Sequence, residues 1–435
     1  MRWFKDARSR IQLTGTEGIV LTILVLLILS PFSCWRRDQD LRRTLTLWLS
    51  GNPHEIDLYQ DALDEYERRR PDLRVVMTPI PASGNTFLSK VLPAMQAGTS
   101  GDVLLLHWSM ISEIASKNAL LPLDDQIEAD QYDMEDLFEG STMPYMFHEN
   151  LYAMPFRGST MVLFYNKDLF DAAGLVYPDD NWTRDDFLVA AKRLTIRDRG
   201  HLVVGCMPEE SSSWIYSAGG LYASDDLSEF HLTDPRTLDG LQFYVDLVTR
   251  HRVASPDLGH EISDVNTFES GRLGMMISGP WKLETFAHIQ KFRWGVALFP
   301  KGPDGRHTRY AGNGFGIWSG TEYPDEAWDL VKFLSSREVA KMLCAVPTDI
   351  PARRSIAYSS HFLKPEYSWD MKVFLRAMEP SHATLHTFPR SNLWMEVRRR
   401  FMGKVEEILI DDLELEPALT QFEEDIREYL GERIE

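Results

Sequence analysis

Few residue groupings in this chain have the types and spacing for chemistry. His382 and His386 stand four apart, the spacing that sets two imidazoles on one helix face for zinc. They lie between Pro380 and Pro389 with no third ligand in view, so no metal is expected. Gly312-Asn-Gly-Phe-Gly316 is a glycine-rich turn without dinucleotide spacing, and neither a GxSxG nucleophile elbow nor a Walker A sequence occurs. The 65 acidic residues can always be paired on paper for glycoside hydrolysis, but no pair sits in a distinctive motif. Asn181-Trp182-Thr183 fits a glycosylation acceptor, yet Thr183 also starts a helix, and the structural reading is preferred. No catalytic residue and no cofactor is expected.

Cys34 is the one residue positioned for modification. It follows Gly18 to Ser33 in the only long charge-free stretch, GIVLTILVLLILSPFSCW, with Arg2, Lys5, Arg8 and Arg10 before it and Arg36 and Arg37 after. A basic start, a short apolar core and a small residue before a cysteine describe an export signal. The unbroken apolar core from Ile19 to Leu29 is short of the roughly 20 residues of a bilayer span. Ser33 suits the position before a lipoprotein cut, whereas Pro31 and Phe32 depart from the usual leucine and small residue. Lipid on Cys34 and an uncleaved N-terminal anchor therefore both remain open. In either case the body is tethered outside the cytoplasmic membrane.

Composition narrows the partners. A net charge of −19 lacks the basic footprint of nucleic-acid binding and is repelled by anionic headgroups. Cys206 and Cys344 are too few for a disulfide framework; they are read as two buried thiols, with a single bridge as the alternative. At 435 residues the chain holds two large domains or three smaller ones.

The elements that must position a binding site follow from periodicity. Thr44 to Leu49 alternates as a strand, and His54 to Arg70 sets Ile56, Tyr59, Leu63 and Tyr66 on one helical face until Pro71. Leu73 to Thr78, a helix from Phe87 to Gln96, the apolar strand Asp102 to His107 and a helix from Ser109 to Lys117 complete a βαβαβ run. That alternation predicts a largely parallel sheet with helices on both faces and a ligand at the carboxyl ends of its strands. Those ends are the turns Trp48 to Asn52 and His107 to Met110. The pattern restarts with a strand over Thr160 to Tyr165, a helix over Arg184 to Leu194 capped by Thr183 and Asp186, a strand over Leu273 to Ser278 and a helix over Pro324 to Ser335. Two α/β bodies without a flexible linker predict coupled lobes, with a ligand cleft between them.

These segments resemble the extracytoplasmic solute-binding proteins of sugar-type ABC importers, the family that includes maltose-binding protein. The resemblance rests on TLTLWLSG, PDLRVV, GTSGDVLLLHW, NALLPLDD, LYAMPFRGSTMVLFYNKDLFDAAGL, NWTRDDFLVAAKRL, FESGRLGMMISGPW, YAGNGFGIW and PDEAWDLVKFLSS, in family order over about residues 44–355. It implies a type II periplasmic-binding fold of two discontinuous α/β lobes joined by a hinge. One lobe would take residues 44–158 plus 312–346 and the other 159–311 plus 347–435, behind a signal or anchor segment at 1–35, with crossings near Gly158, Gly312 and Pro347. It further implies a small-molecule ligand of the carbohydrate class, ABC permease subunits as partners, and a monomer. The resemblance points Trp48, Trp108, Trp214, Trp281 and Trp394 toward the cleft, where indole faces stack on sugar C–H faces; the alternative for each is core packing. Trp281, directly after Gly279-Pro280, is the leading platform. Ser159 falls where some relatives place a ligand-binding carboxylate, so that contact is missing; Arg157 beside it offers either a donor fork to the cleft or a salt bridge at the lobe edge. Asn313 either bonds a sugar hydroxyl or serves the turn, and His107 and Ser109 are strand-end candidates. Three rivals stay in view: a sensor on the same fold, a binder of glycerophosphodiesters or polyamines, and a tethered glycoside hydrolase.

Overall fold

A computed structural model describes residues 42–80, 84–198, 201–208, 211–254, 268–346, 349–367 and 369–434. Cys34, the segment 1–35 and Pro347 lie outside these residues. The strands, in chain order, are β1 (Arg43–Leu49), β2 (Leu73–Pro79), β3 (Val103–His107), β4 (Met146–Phe147), β5 (Asn150–Leu151), β6 (Met154–Thr160), β7 (Val162–Asn166), β8 (Ile196–Asp198), β9 (His201–Met207), β10 (Leu273–Ser278), β11 (Trp294–Leu298), β12 (His307–Ile317), β13 (Ile350–Pro351) and β14 (Thr384–His386). They build a first sheet in the order β13-β6-β12-β3-β1-β2, with β14 beside β12, and a second in the order β11-β7-β10-β9-β8.

Local sequence explains the frame. Asn52 caps the helix Pro53–Arg69: its side chain accepts from the Glu55 N–H, and the Glu55 carboxylate returns the bond to the Asn52 N–H. That helix buries Tyr59, Ala62, Leu63 and Tyr66, with the Tyr59 ring edge-on to Phe315 of β12. Burial of a large apolar side chain such as Leu63 contributes roughly 1.5–3 kcal/mol. On the second sheet, Thr183 and Asp186 form the same reciprocal cap at the start of helix Arg184–Leu194, which buries Phe187, Ala190, Ala191 and Leu194.

The sheets are mixed rather than largely parallel. β1 runs parallel to β3 and β9 to β10, but β12 enters antiparallel between β3 and β6, and β7 is antiparallel to both β10 and β11. The expected strand over Thr160 to Tyr165 is in fact two: the chain leaves β6 of the first sheet and enters β7 of the second with Met161 alone between them. Gly158 of β6 pairs in register with Gly312 of β12 on one side and Ile350 of β13 on the other. Cys206 and Cys344 are both buried free thiols, so the bridge does not form. No helix among the described residues is long and apolar enough to cross a membrane.

Candidate functional site

The apolar run of β3 drives it into the interior of the first sheet and brings its last residue, His107, to the carboxyl end of the strand. The chain then turns through the 3-10 helix Trp108–Met110. His107 Nδ1 lies 2.7 Å from the Ser109 hydroxyl. Burial lowers the His107 pKa to about 3, helped by the guanidinium charges of Arg309, Arg398 and Arg157, so the imidazole is neutral.

Trp108 stacks on Phe388, with centroids 5.3 Å apart and planes 29° apart. Phe388 in turn meets Trp394 at 5.5 Å, and the guanidinium groups of Arg309 and Arg398 lie 5.6 and 5.2 Å from its centroid. Trp394 opens the helix Trp394–Asp411 and is 3% exposed, its ring edge-on to Tyr222. Between the Trp108 turn and the segment 387–395 is a narrow crevice lined by Trp108, Ser109, Ser112, Pro144, Thr387, Phe388, Pro389, Arg390, Ser391, Trp394 and Met395. The indole N–H groups of Trp108 and Trp394 are buried and have no acceptor. The Trp214 indole N–H shares that condition inside the core, so it is the ring faces of Trp108 and Trp394 that distinguish the crevice.

The other expected site residues divide by place. Asn313 stands opposite His107 on one side and Arg157 on the other, so all three share one face across β3, β12 and β6. Arg157 forms a salt bridge with Glu55, and its Nε lies 3.6 Å from Asp349 Oδ2. Burial raises the Asp349 pKa to about 6; Arg157 opposes that rise and Glu55 adds to it. Ser159 is 4% exposed on β6. Trp281 lies in the turn Pro280–Lys282 after β10, half-buried, its ring folded back so that a Cβ at Gly279 would come within 1.9 Å of it. Only glycine admits that pose.

Two tryptophans sit apart from the crevice. Trp214 is 2% exposed, its ring enclosed by Phe187, Phe243 and Phe299 at 4.7–5.1 Å. Trp48 lies across Gly101, where a Cβ would approach its ring to 2.6 Å, and packs on the apolar cluster that holds Phe87, Leu104 and Leu106. Sequence reasoning missed Phe388 in the crevice, Arg309 and Arg398 over its ring, and Glu55 and Asp349 beside Arg157. The only signal for Phe388 was its place before Pro389 in a segment read as loop. His382 and His386 do not form a helical pair: His386 lies in β14, its Nε2 2.7 Å from His307 Nδ1 and its ring stacked on Tyr216.

This architecture is that of the type II periplasmic-binding proteins. An ABC substrate-binding protein from Listeria monocytogenes, solved with cycloalternan, superposes with a TM-score of 0.78 at 23% identity, over 90% of this chain and 99% of that one. A Mycobacterium tuberculosis protein solved with glycerophosphocholine gives 0.77 at 19% identity, over 90% and 99%. The sequence model described as bacterial extracellular solute-binding protein matches residues 52–341, and the chain belongs to that family. It is 25% identical over 391 residues to the maltotriose-binding protein of Pyrococcus abyssi, covering 88% of this chain and 81% of the relative. The protein is thus an extracytoplasmic solute-binding protein.

Proposed function

We propose that this protein captures a sugar or oligosaccharide between its two lobes and delivers it to the permease of an ABC importer, with ATP hydrolysed by another subunit. The observation that carries the reading is the crevice walled by the ring faces of Trp108, Phe388 and Trp394, the kind of surface that stacks on sugar C–H faces. The maltotriose-binding relative, alike over most of both chains, favours the same ligand class. Trp281 supplies a stacking platform from the second sheet's side, and His107, Ser109 and Asn313 supply polar contacts. Trp214 and Trp48 support the lobes rather than the ligand, and Arg157 and Ser159 act from behind the site.

The lobes follow the sheets. The crossings lie at Met161, between β11 and β12, and after β13, which keeps Ile350–Pro351 with the first sheet. Binding proceeds without chemistry; closure is favoured only to the extent that the ligand contacts both lobes. A lipid on Cys34, or the uncleaved apolar segment, holds the protein at the outer face of the membrane.

The test is intrinsic tryptophan fluorescence of the full chain in detergent micelles. The titrants are maltotriose, a galactooligosaccharide and glycerophosphocholine. A saturable change with a glycan at micromolar concentration, about −8 kcal/mol, is the expected result. A response to glycerophosphocholine alone would replace the sugar reading with a phosphodiester one. Release of new reducing ends from maltotriose at a catalytic rate would make the protein a hydrolase.

A further inference from the structure

The turn that carries Trp281 is fastened to the opposite sheet. Asn52 Nδ2 donates to Glu284 Oε2 at 2.9 Å, across 232 residues of sequence. Asn52 begins the helix whose Tyr59, Leu63 and Tyr66 pack on the first sheet. Glu284 belongs to the short helix Leu283–Phe286, continuous with the Pro280–Lys282 turn, whose Leu283 and Phe286 pack with Phe164 of β7 and Trp294 of β11. The bond therefore bridges the two lobes, beside the leading ligand platform.

Asn52 is held from behind. Its Oδ1 accepts from the Glu55 N–H at 2.9 Å, and its own N–H donates to Glu55 Oε2 at 3.2 Å. Glu55 Oε1 takes the Arg157 guanidinium, which faces Asp349, the residue directly before β13. With the backbone face and Oδ1 of Asn52 fixed by the cap, the amide nitrogen is left as the outward group. A carboxylate on the far lobe is the partner that accepts it, and the charge on Glu284 makes the bond stronger than a neutral one.

We infer that Asn52 and Glu284 form an interlobe latch that positions Trp281, so that opening of the cleft breaks this bond and closure on ligand remakes it. The inference rests on the proposed interlobe site, but the latch itself is read from the Asn52–Glu284 bond. Both residues are positioning residues: they act through the Trp281 turn.

Asn52→Asp tests this with the helix cap preserved, because aspartate caps as well as asparagine. It sets a carboxylate against Glu284. Adding Glu284→Gln restores a donor to face it. Hydrogen–deuterium exchange of the full chain in micelles, without ligand, should show residues 280–286 exchanging at least about fivefold faster in Asn52→Asp. Residues 53–58 should be unchanged, and the double variant should return to wild-type rates. With maltotriose as probe, apparent affinity should fall about tenfold in Asn52→Asp and recover in the double variant, as a reduced competent population requires. Unchanged exchange at 280–286, or faster exchange at 53–58 as well without rescue, overturns the latch. Faster exchange with unaltered maltotriose affinity overturns the positioning role. If wild-type protein binds no maltotriose, the sugar reading fails while the exchange result still decides whether the latch exists.

Discussion

The crevice at Trp108 and the network at Arg157 belong to β3 and β6, strands separated only by β12, yet they are built differently. The crevice is made of ring faces packed on one another, with indole donors left without acceptors. The network is made of charges answered by charges: Glu55 and Asp349 around one guanidinium, at the point where Gly158, Gly312 and Ile350 stand side by side. Ring faces beside a crevice offer a ligand flat apolar surface, whereas ion pairs tie together the strands that carry them. Recognition and closure are thus assigned to different residues, and substitutions should separate them.

The largest effect is expected at the network. Arg157→Ala leaves two buried carboxylates without a countercharge and should cost about 3–5 kcal/mol in denaturant unfolding at pH 7. A loss below about 1 kcal/mol would mean that the network is solvated and holds nothing. Next is Phe388→Ala. It removes the ring that joins Trp108 to Trp394 and should cost roughly 3 kcal/mol, near the low end for a buried aromatic.

Trp108→Phe should separate the two regions by sign. It keeps most of the stacking face but deletes the unmet N–H. Unliganded stability should hold or rise by up to about 1 kcal/mol, while glycan affinity falls about tenfold. Loss of stability with unchanged affinity would show that the indole N–H serves the fold alone.

The smallest effects are in pH dependence. Asp349 titrates near 6 when folded against 3.8 when free, so its contribution to stability is complete below about pH 4 and lost as pH rises through 6. Asp349→Asn should therefore melt higher than wild type above pH 6 and match it below pH 4. His386 runs the other way. Burial first, and the His307 charge second, lower its pKa to about 4 from 6.5, so its contribution is present above 6.5 and lost as pH falls toward 4. His386→Gln should flatten that acid-side loss in a thermal melt followed from pH 7 to pH 4. Parallel shifts in both variants would contradict the assignment.

Much of the frame was legible because period and capping are local. The helices at Pro53 and Arg184, the strand β10 and the βαβαβ run need only nearby residues to declare themselves. β6 was not legible: Arg157, Gly158 and Ser159 break any alternation, and only pairing with β12 and β13 makes that segment a strand. The switch of sheets at Met161 leaves no periodic mark, since both strands are buried throughout. Among the tryptophans, sequence could not tell Trp214, enclosed by three aromatic rings, from Trp281, half-exposed on its turn. That distinction depends on what packs around each ring. Phe388 and Glu284 were invisible for the same reason, because each matters through a partner more than 200 residues away.

The central claim is that one ligand is held from both lobes at once. Isothermal titration calorimetry of maltotriose with wild type, Trp108→Ala and Trp281→Ala tests it most directly. The account predicts that each substitution, one per lobe, weakens binding at least about tenfold, with folding intact by circular dichroism. Retention of wild-type affinity by either variant would contradict it, because the ligand would then be held without that lobe.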